Sequence, residues 1–160
     1  MLNRPATRIE DNTDQSINKR IREQAQERVA RLATAPDEDV RRRMLELEYE
    51  WDVERAVEAN MSLAVVATLL LGRFLDRRFY ALTGVVGGFL LNHAARGWCP
   101  PLPALRRRGF RTAREIDEEH RALETALRSR SAAKDAAKQE EKKKRAAPDM
   151  AEREYIPYTD

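Results

Sequence analysis

The chain has 160 residues, of which 36% are charged and 6% aromatic, and it carries a net charge of +3. That composition holds too little apolar surface for a large water-soluble core and allows at most one or two small units. A single cysteine excludes an intrachain disulfide and a cysteine-rich metal site.

The average hides a segregated pattern. Charges crowd into residues 1–58 and 106–160, whereas Ala59 to Ala95 holds four, all within "RFLDRR". Residues 1–60 carry 11 basic and 14 acidic groups and residues 106–145 carry 14 and 8, so the basic excess lies on the C-terminal side. The first twenty residues contain no apolar run of the kind a secretory signal needs, so insertion into a membrane would have to use the internal segment.

In chain order, residues 1–13 read as a disordered N-terminus, and residues 14–56 as cytoplasmic amphipathic helices. The first of these helices begins at a cap, Thr13 or Asp14, and carries an apolar stripe of Ile17, Ile21, Ala25, Val29 and Leu32. "APDED" interrupts it, with Asp37 as the next cap. A second helix follows through "EDVRRRMLELEYEWDVERAVEAN" and places Val40, Met44, Leu47 and Trp51 on one face. Both stripes are narrow and need each other, a partner or a bilayer surface to be covered.

Residues 57–98 read as a transmembrane helical hairpin. Nineteen residues from Val57 to Leu75 rise about 28 Å and twenty from Phe79 to Trp98 about 30 Å, against a hydrocarbon thickness of about 30 Å. A three-residue turn, "DRR", makes the two antiparallel. The rival is a buried hairpin inside a soluble bundle. Against it, no other part of the chain is apolar enough to cover both helices. In addition, Gly84, Gly87 and Gly88 suit a helix in lipid better than one in water. Gly84, Gly88 and Asn92 form a small-residue face on the second helix, and Ala64, Thr68 and Gly72 form one on the first. Such faces let backbones approach closely, within the hairpin or, less favoured, against another subunit. Tyr80 and Trp98 stand near opposite ends of the second span as interface anchors, joined by Cys99 and by Arg106, Arg107 and Arg108. Arginines on both flanks outnumber those in the turn, which predicts both termini in the cytoplasm.

Residues 99–131 read as a proline-rich interfacial exit, extended through "CPPLP", followed by a charged helix that opens on a Thr112/Glu115 capping box. Residues 132–160 read as a low-complexity charged tail in which the helix frays, with Tyr155, Ile156 and Tyr158 available for docking.

Chemistry is sparsely signalled. His93 and Cys99 lack the further ligands or the orienting group that a metal site or an activated nucleophile requires, so no catalytic, metal or cofactor residue is expected. Cys99 reads first as a packing or interface residue and second as a redox, modified or persulfide-handling thiol. The carboxylates of "EYEWDVER" sit at helical surface spacings and read as a solvated face rather than an acid/base pair. "KQEEKKKRAA" has no interleaved aromatics, so nucleic acid is not an expected partner; anionic lipid headgroups fit it better.

"EWDVERAVEANMS", "GFLLNHAARGWCPPLPALRRRGFRT" and "EIDEEHRAL" together resemble a bacterial family of small membrane proteins of unknown function. That family is related to the two-helix membrane domain that follows the rhodanese domain of an inner-membrane sulfurtransferase. The resemblance covers Glu50 to Leu123, with Gly97-Trp98-Cys99-Pro100 and Arg111-Thr112…Glu115-Ile116 as its most specific parts. It implies a bacterial inner-membrane hairpin and no particular reaction; a rhodanese domain and its active-site loop are missing here. The combined expectation is an all-α integral membrane protein with two transmembrane helices and cytoplasmic helical extensions. Its expected partners are membrane lipid and a larger membrane complex or a homo-oligomer. The expected role is a non-catalytic accessory or assembly subunit. The alternatives are a thiol or persulfide partner of a sulfurtransferase through Cys99, or an organiser of anionic lipid.

Overall fold

A computed structural model describes residues 7–146, the last without its side chain. The described residues are helical, with no strand: α1 (Arg8–Asp11), α2 (Gln15–Leu32), α3 (Asp37–Tyr49), α4 (Val53–Phe74), α5 (Phe79–Arg96), α6 (Leu102–Arg107) and α7 (Ala113–Ala146). The all-α expectation holds at this level. The start of the expected disordered N-terminus and the tail residues Tyr155, Ile156 and Tyr158 lie outside the described residues.

The chain divides into two units, Met1–Leu123 and Glu124–Asp160. In the first, local chemistry sets most element ends. Asp14 caps α2, its carboxylate accepting from the Ser16 N–H at 2.7 Å and the Ser16 hydroxyl at 2.6 Å. Pro36, not Asp37, is the N-cap of α3; Asp37 lies in the first turn with Glu38 and Asp39, where the helix dipole favours negative charge. Thr112 and Glu115 close the capping box at α7, each backbone N–H donating to the other's side chain at 2.8 and 3.2 Å.

Three further expectations are corrected. Thr7 to Thr13 is ordered: α1 tucks Ile9, 3% exposed, into the core, an isolated apolar residue too weak to register as a sequence pattern. The second amphipathic helix does not run on into the hairpin. It stops at Tyr49, and α4 restarts at Val53, four residues before the expected span. Asp52 caps α4 by accepting from the Arg55 N–H at 2.7 Å, and the Val53 N–H donates to the Arg111 carbonyl at 2.7 Å. Finally, "CPPLP" is not extended. Pro101 is the N-cap of α6 and Pro103 lies in its first turn, where a missing N–H leaves no helical bond unmade.

α4 and α5 form an antiparallel hairpin. The Thr83 hydroxyl donates to the Thr68 hydroxyl at 2.8 Å, and the Tyr80 ring lies over Gly72. At the open end of the hairpin, Val53, Ala56, Val57 and Met61 of α4 join Ile9, Cys99, Leu102 and Leu105 in a core, with Val86, Phe89, Leu90 and Phe110 packed against it. Gly97 ends α5 in the left-handed region, φ 77°, its N–H donating to the His93 carbonyl at 2.7 Å. Around this end α2, α3 and α7 each bury a narrow stripe: Ile21; Val40 and Leu47; Ile116 and Leu123.

In the second unit α7 runs past Ala132 to Ala146. Exposed pairs one turn apart support it, Arg128 with Glu124 at 2.6 Å and Arg145 with Glu141 at 2.7 Å.

Candidate functional site

Two features stand out: an uncovered apolar hairpin and a collar of ion pairs at its open end. The run Asp37–Phe74 contains the one stretch among the described residues long and apolar enough to cross a membrane, with mean hydropathy 1.4 and 22% of that stretch buried within the chain. Leu63 is 68% exposed, Phe74 72% and Leu91 72%, and Leu70, Leu82 and Val85 are also exposed. A water-soluble protein rarely leaves so continuous an apolar surface open. α5 is shorter, and Asn92, His93 and Arg96 at its end dilute its apolar character.

The collar was not legible as such. Glu119, whose side chain is fully buried, receives Arg28 at 2.9 and 3.2 Å, Arg43 at 3.1 Å and Arg111 through a very short contact. Arg111 also grips Glu50 with two donors at 2.7 and 2.6 Å. One knot therefore ties α2, α3, the α3–α4 break and α7 together. Burial pushes the Glu119 pKa up, but the bonds from Arg28 and the charge of Arg111 outweigh it, leaving the pKa below its ordinary value. A second knot centres on Arg106, 0% exposed. It donates to both oxygens of Glu115 at 2.7 and 2.8 Å, to the Asn18 side-chain oxygen at 2.8 Å and to the Phe110 carbonyl at 2.9 Å. Glu115 likewise has a lowered pKa: burial raises it, and the Arg106 bonds and Thr112 N–H prevail. Bidentate geometry of this kind requires arginine rather than lysine.

Arg106 thus leaves the set of expected interface anchors and becomes a structural residue. Its spacing next to two other arginines gave no hint of which one turns inward. Arg107 and Arg108 remain exposed, and the Arg107 carbonyl accepts from Arg20 at 2.9 Å. Glu50, expected on a solvated face, is half-buried in the first knot. Thr68 and Gly72 pack inside the hairpin and Ala64 is half-buried beside them, whereas a Cβ on Gly84 or Gly88 would meet nothing within 4 Å. The two small-residue faces therefore do not meet each other. Asn92 donates to the Trp98 carbonyl at 2.8 Å, and the Trp98 ring meets Phe89 edge to face at 6.2 Å. Tyr80 and Trp98 stand 42% and 40% exposed near opposite ends of α5. Cys99 is fully buried in the core, and burial pushes its thiol pKa up, which opposes thiolate chemistry. His93 is buried as well, with neither ring nitrogen hydrogen-bonded. Among the described residues no group of three or more His, Cys, Asp or Glu side chains is arranged to hold a metal ion.

No family model, curated protein or solved structure matches the chain.

Proposed function

We propose that this chain is a non-catalytic accessory or assembly subunit of a bacterial inner-membrane complex. In this reading α4 and α5 both cross the bilayer and both termini lie in the cytoplasm. The observation that carries it is the open apolar surface of the hairpin: lipid is the solvent in which Leu63, Phe74 and Leu91 need no protein cover. At 22 and 18 residues, the helices would rise about 33 and 27 Å, which brackets the hydrocarbon thickness. The resemblance to a two-helix membrane family supplies the same topology.

The assembly role is supported by the collar. Its knots tie α2 to α7, yet Ile21, Ala25, Val29, Ala30 and Ala122 line a groove of about 360 Å³ that the chain leaves unfilled. A helix or loop of a neighbouring subunit fits such a groove. The test is crosslinking in native membranes followed by mass spectrometry, with alkaline extraction of the same membranes. The chain should resist extraction and crosslink to a defined partner through α2 or α7. Release into plain buffer as a folded, monodisperse species would overturn the membrane reading. A lone monomer in mild detergent would overturn the assembly role.

A further inference from the structure

We propose that the cleft along the outer side of α5 binds one anionic glycerophospholipid, its acyl chain against Gly88 and its phosphate at Arg96. The proposal rests on the membrane reading of the hairpin.

The cleft, about 630 Å³, is lined by Val85, Gly88 and Phe89 on its apolar side and by Asn92, Arg96, Trp98 and Asn12 at its polar end. Apolar wall and polar end follow one another along α5 toward the end where the chain leaves the bilayer. That is the order in which a lipid presents acyl chain, glycerol and phosphate. Gly88 makes the trough, because nothing lies within 4 Å of where its Cβ would be.

Charge selects the headgroup. The ion-paired arginines of the collar are neutralised at home: Arg8 by Glu54, Arg28 and Arg43 by Glu119, Arg111 by Glu50 and Glu119, Arg106 by Glu115, Arg114 by Glu10. Arg107 and Arg108 are exposed but do not line the cleft, whereas Arg96 does. Arg96 is exposed and has no carboxylate partner among the described residues. Its position is fixed by its own backbone, whose carbonyl accepts from Asn12 at 2.7 Å while Asn12 also donates to the Arg8 carbonyl at 2.6 Å. Asn92 is fixed the same way, donating to the Trp98 carbonyl. With both amide nitrogens engaged, the two side-chain oxygens remain as acceptors for headgroup hydroxyls. A guanidinium at the interface beside two acceptors and an indole matches a phosphate ester carrying hydroxyls, such as phosphatidylglycerol.

Trp98 is its own reporter. The chain has two tryptophans, and Trp51 lies in the α3–α4 break with Arg55 5.3 Å from its ring centre, so Trp51→Phe leaves Trp98 alone. The full-length Trp51→Phe chain is reconstituted in phosphatidylcholine vesicles containing a few mole per cent of acyl-brominated phosphatidylglycerol or acyl-brominated phosphatidylcholine. Quenching of Trp98 should saturate with the glycerol lipid, at about fivefold lower mole fraction than with the choline lipid. Arg96→Gln should erase that difference. A Cβ at Gly88 meets nothing within 4 Å and leucine improves helix propensity, so Gly88→Leu should leave the helix content unchanged while its longer side chain fills the trough and weakens quenching by the glycerol lipid. Equal quenching by the two headgroups, or a Gly88→Leu chain quenched as the parent is, overturns the site and leaves the membrane hairpin standing. No quenching by either lipid overturns the hairpin as well. Loss of quenching on adding millimolar glycerol phosphate reassigns the site to a free phosphate ester. If Gly88→Leu instead changes the number of copies crosslinked and spares lipid quenching, a second helix fills the cleft and the proposal fails.

Discussion

Glu119→Gln removes the charge at the centre of the larger knot while keeping its shape. Its carboxylate is fully buried and serves three guanidiniums, those of Arg28, Arg43 and Arg111. Removing one partner of a buried pair costs about 3–5 kcal/mol, because the remaining charge stays desolvated without compensation. Arg28 and Arg43 keep side-chain exposures of 27% and 21%, so water recovers part of their loss. Arg111 is 4% exposed but retains two bonds to Glu50. The expected loss is therefore at the low end, about 3 kcal/mol, or roughly 10 °C in the melting of the unit Met1–Leu123. The assay is thermal unfolding in detergent followed by circular dichroism, with Glu118→Gln as the control. Glu118 pairs with Arg114 at 3.1 Å with both side chains largely exposed, and its loss should cost less than about 1 kcal/mol. The pH dependence has a definite sign. A carboxylate whose folded pKa lies below its unfolded one binds protons less readily when folded. Its stabilisation is complete above the ordinary value of 4.5 and is lost as pH falls through the lower folded value. The parent should therefore lose stability on acidification below about pH 4.5 more steeply than Glu119→Gln does. Equal losses for Glu119→Gln and Glu118→Gln, or parallel acid profiles for parent and variant, would refute the knot as the organising element.

Other substitutions probe other parts. Arg106→Lys keeps the charge but not the fork that spans both Glu115 oxygens, and should cost about 2 kcal/mol in the same melt. Gly97→Ala combines φ 77° with a Cβ 2.7 Å from the Arg8 backbone, so it should displace α1 and cost about 2 kcal/mol, with new protease sensitivity near Arg8. Gly72→Ala would place a Cβ 2.7 Å from the Tyr80 ring and should lower the melting point by the equivalent of about 1–2 kcal/mol, whereas Gly84→Ala meets nothing and should match or exceed the parent. Cys99 should label slowly with a maleimide in the folded chain at pH 7 and rapidly after denaturation; fast native labelling would revive the thiol reading.

The parts legible in sequence were those whose signal is local. A run without charge, a capping residue, or a threonine three positions before a glutamate each declares itself within a few residues, and α4, α5, the Asp14 cap and the Thr112–Glu115 box follow from them. The collar was illegible because its bonds join residues far apart in the chain: Arg28 to Glu119, Arg111 to Glu50, Arg106 to Asn18. In sequence each of these looks like one more charge on a solvated helix face. The α3–α4 break was hidden for a related reason. Nothing in "EYEWDV" forbids helix; at the break the Val53 N–H donates to the Arg111 carbonyl, a partner from elsewhere in the fold that the sequence does not announce. Gly84 and Gly88 were read as a face that packs the hairpin on itself, but a Cβ on either meets nothing within 4 Å; their spacing alone could not say that Thr83 and Tyr80 of α5 would meet α4 instead.

On the proposed topology the collar arginines act twice, at different times. Orientation during insertion depends on the number of Lys and Arg near the spans, and acidic residues hardly enter. Arg41, Arg42, Arg43 and Arg55 before α4, with Arg106, Arg107, Arg108, Arg111 and Arg114 after α5, outnumber Arg73, Arg77 and Arg78 at the turn. Once folded, Arg43, Arg106, Arg111 and Arg114 are bound to glutamates and no longer present free charge. Replacing any of these arginines would therefore confuse a topology defect with a stability defect. Replacing the glutamates does not, since Glu115→Gln and Glu119→Gln leave the basic count unchanged. Both should insert with the parent's orientation, read by tagging the termini and testing protease access from each side, and yet fold less stably. Were either to invert the hairpin, the carboxylates would be acting on insertion itself, and the division between a charge that orients and a pair that locks would be untenable.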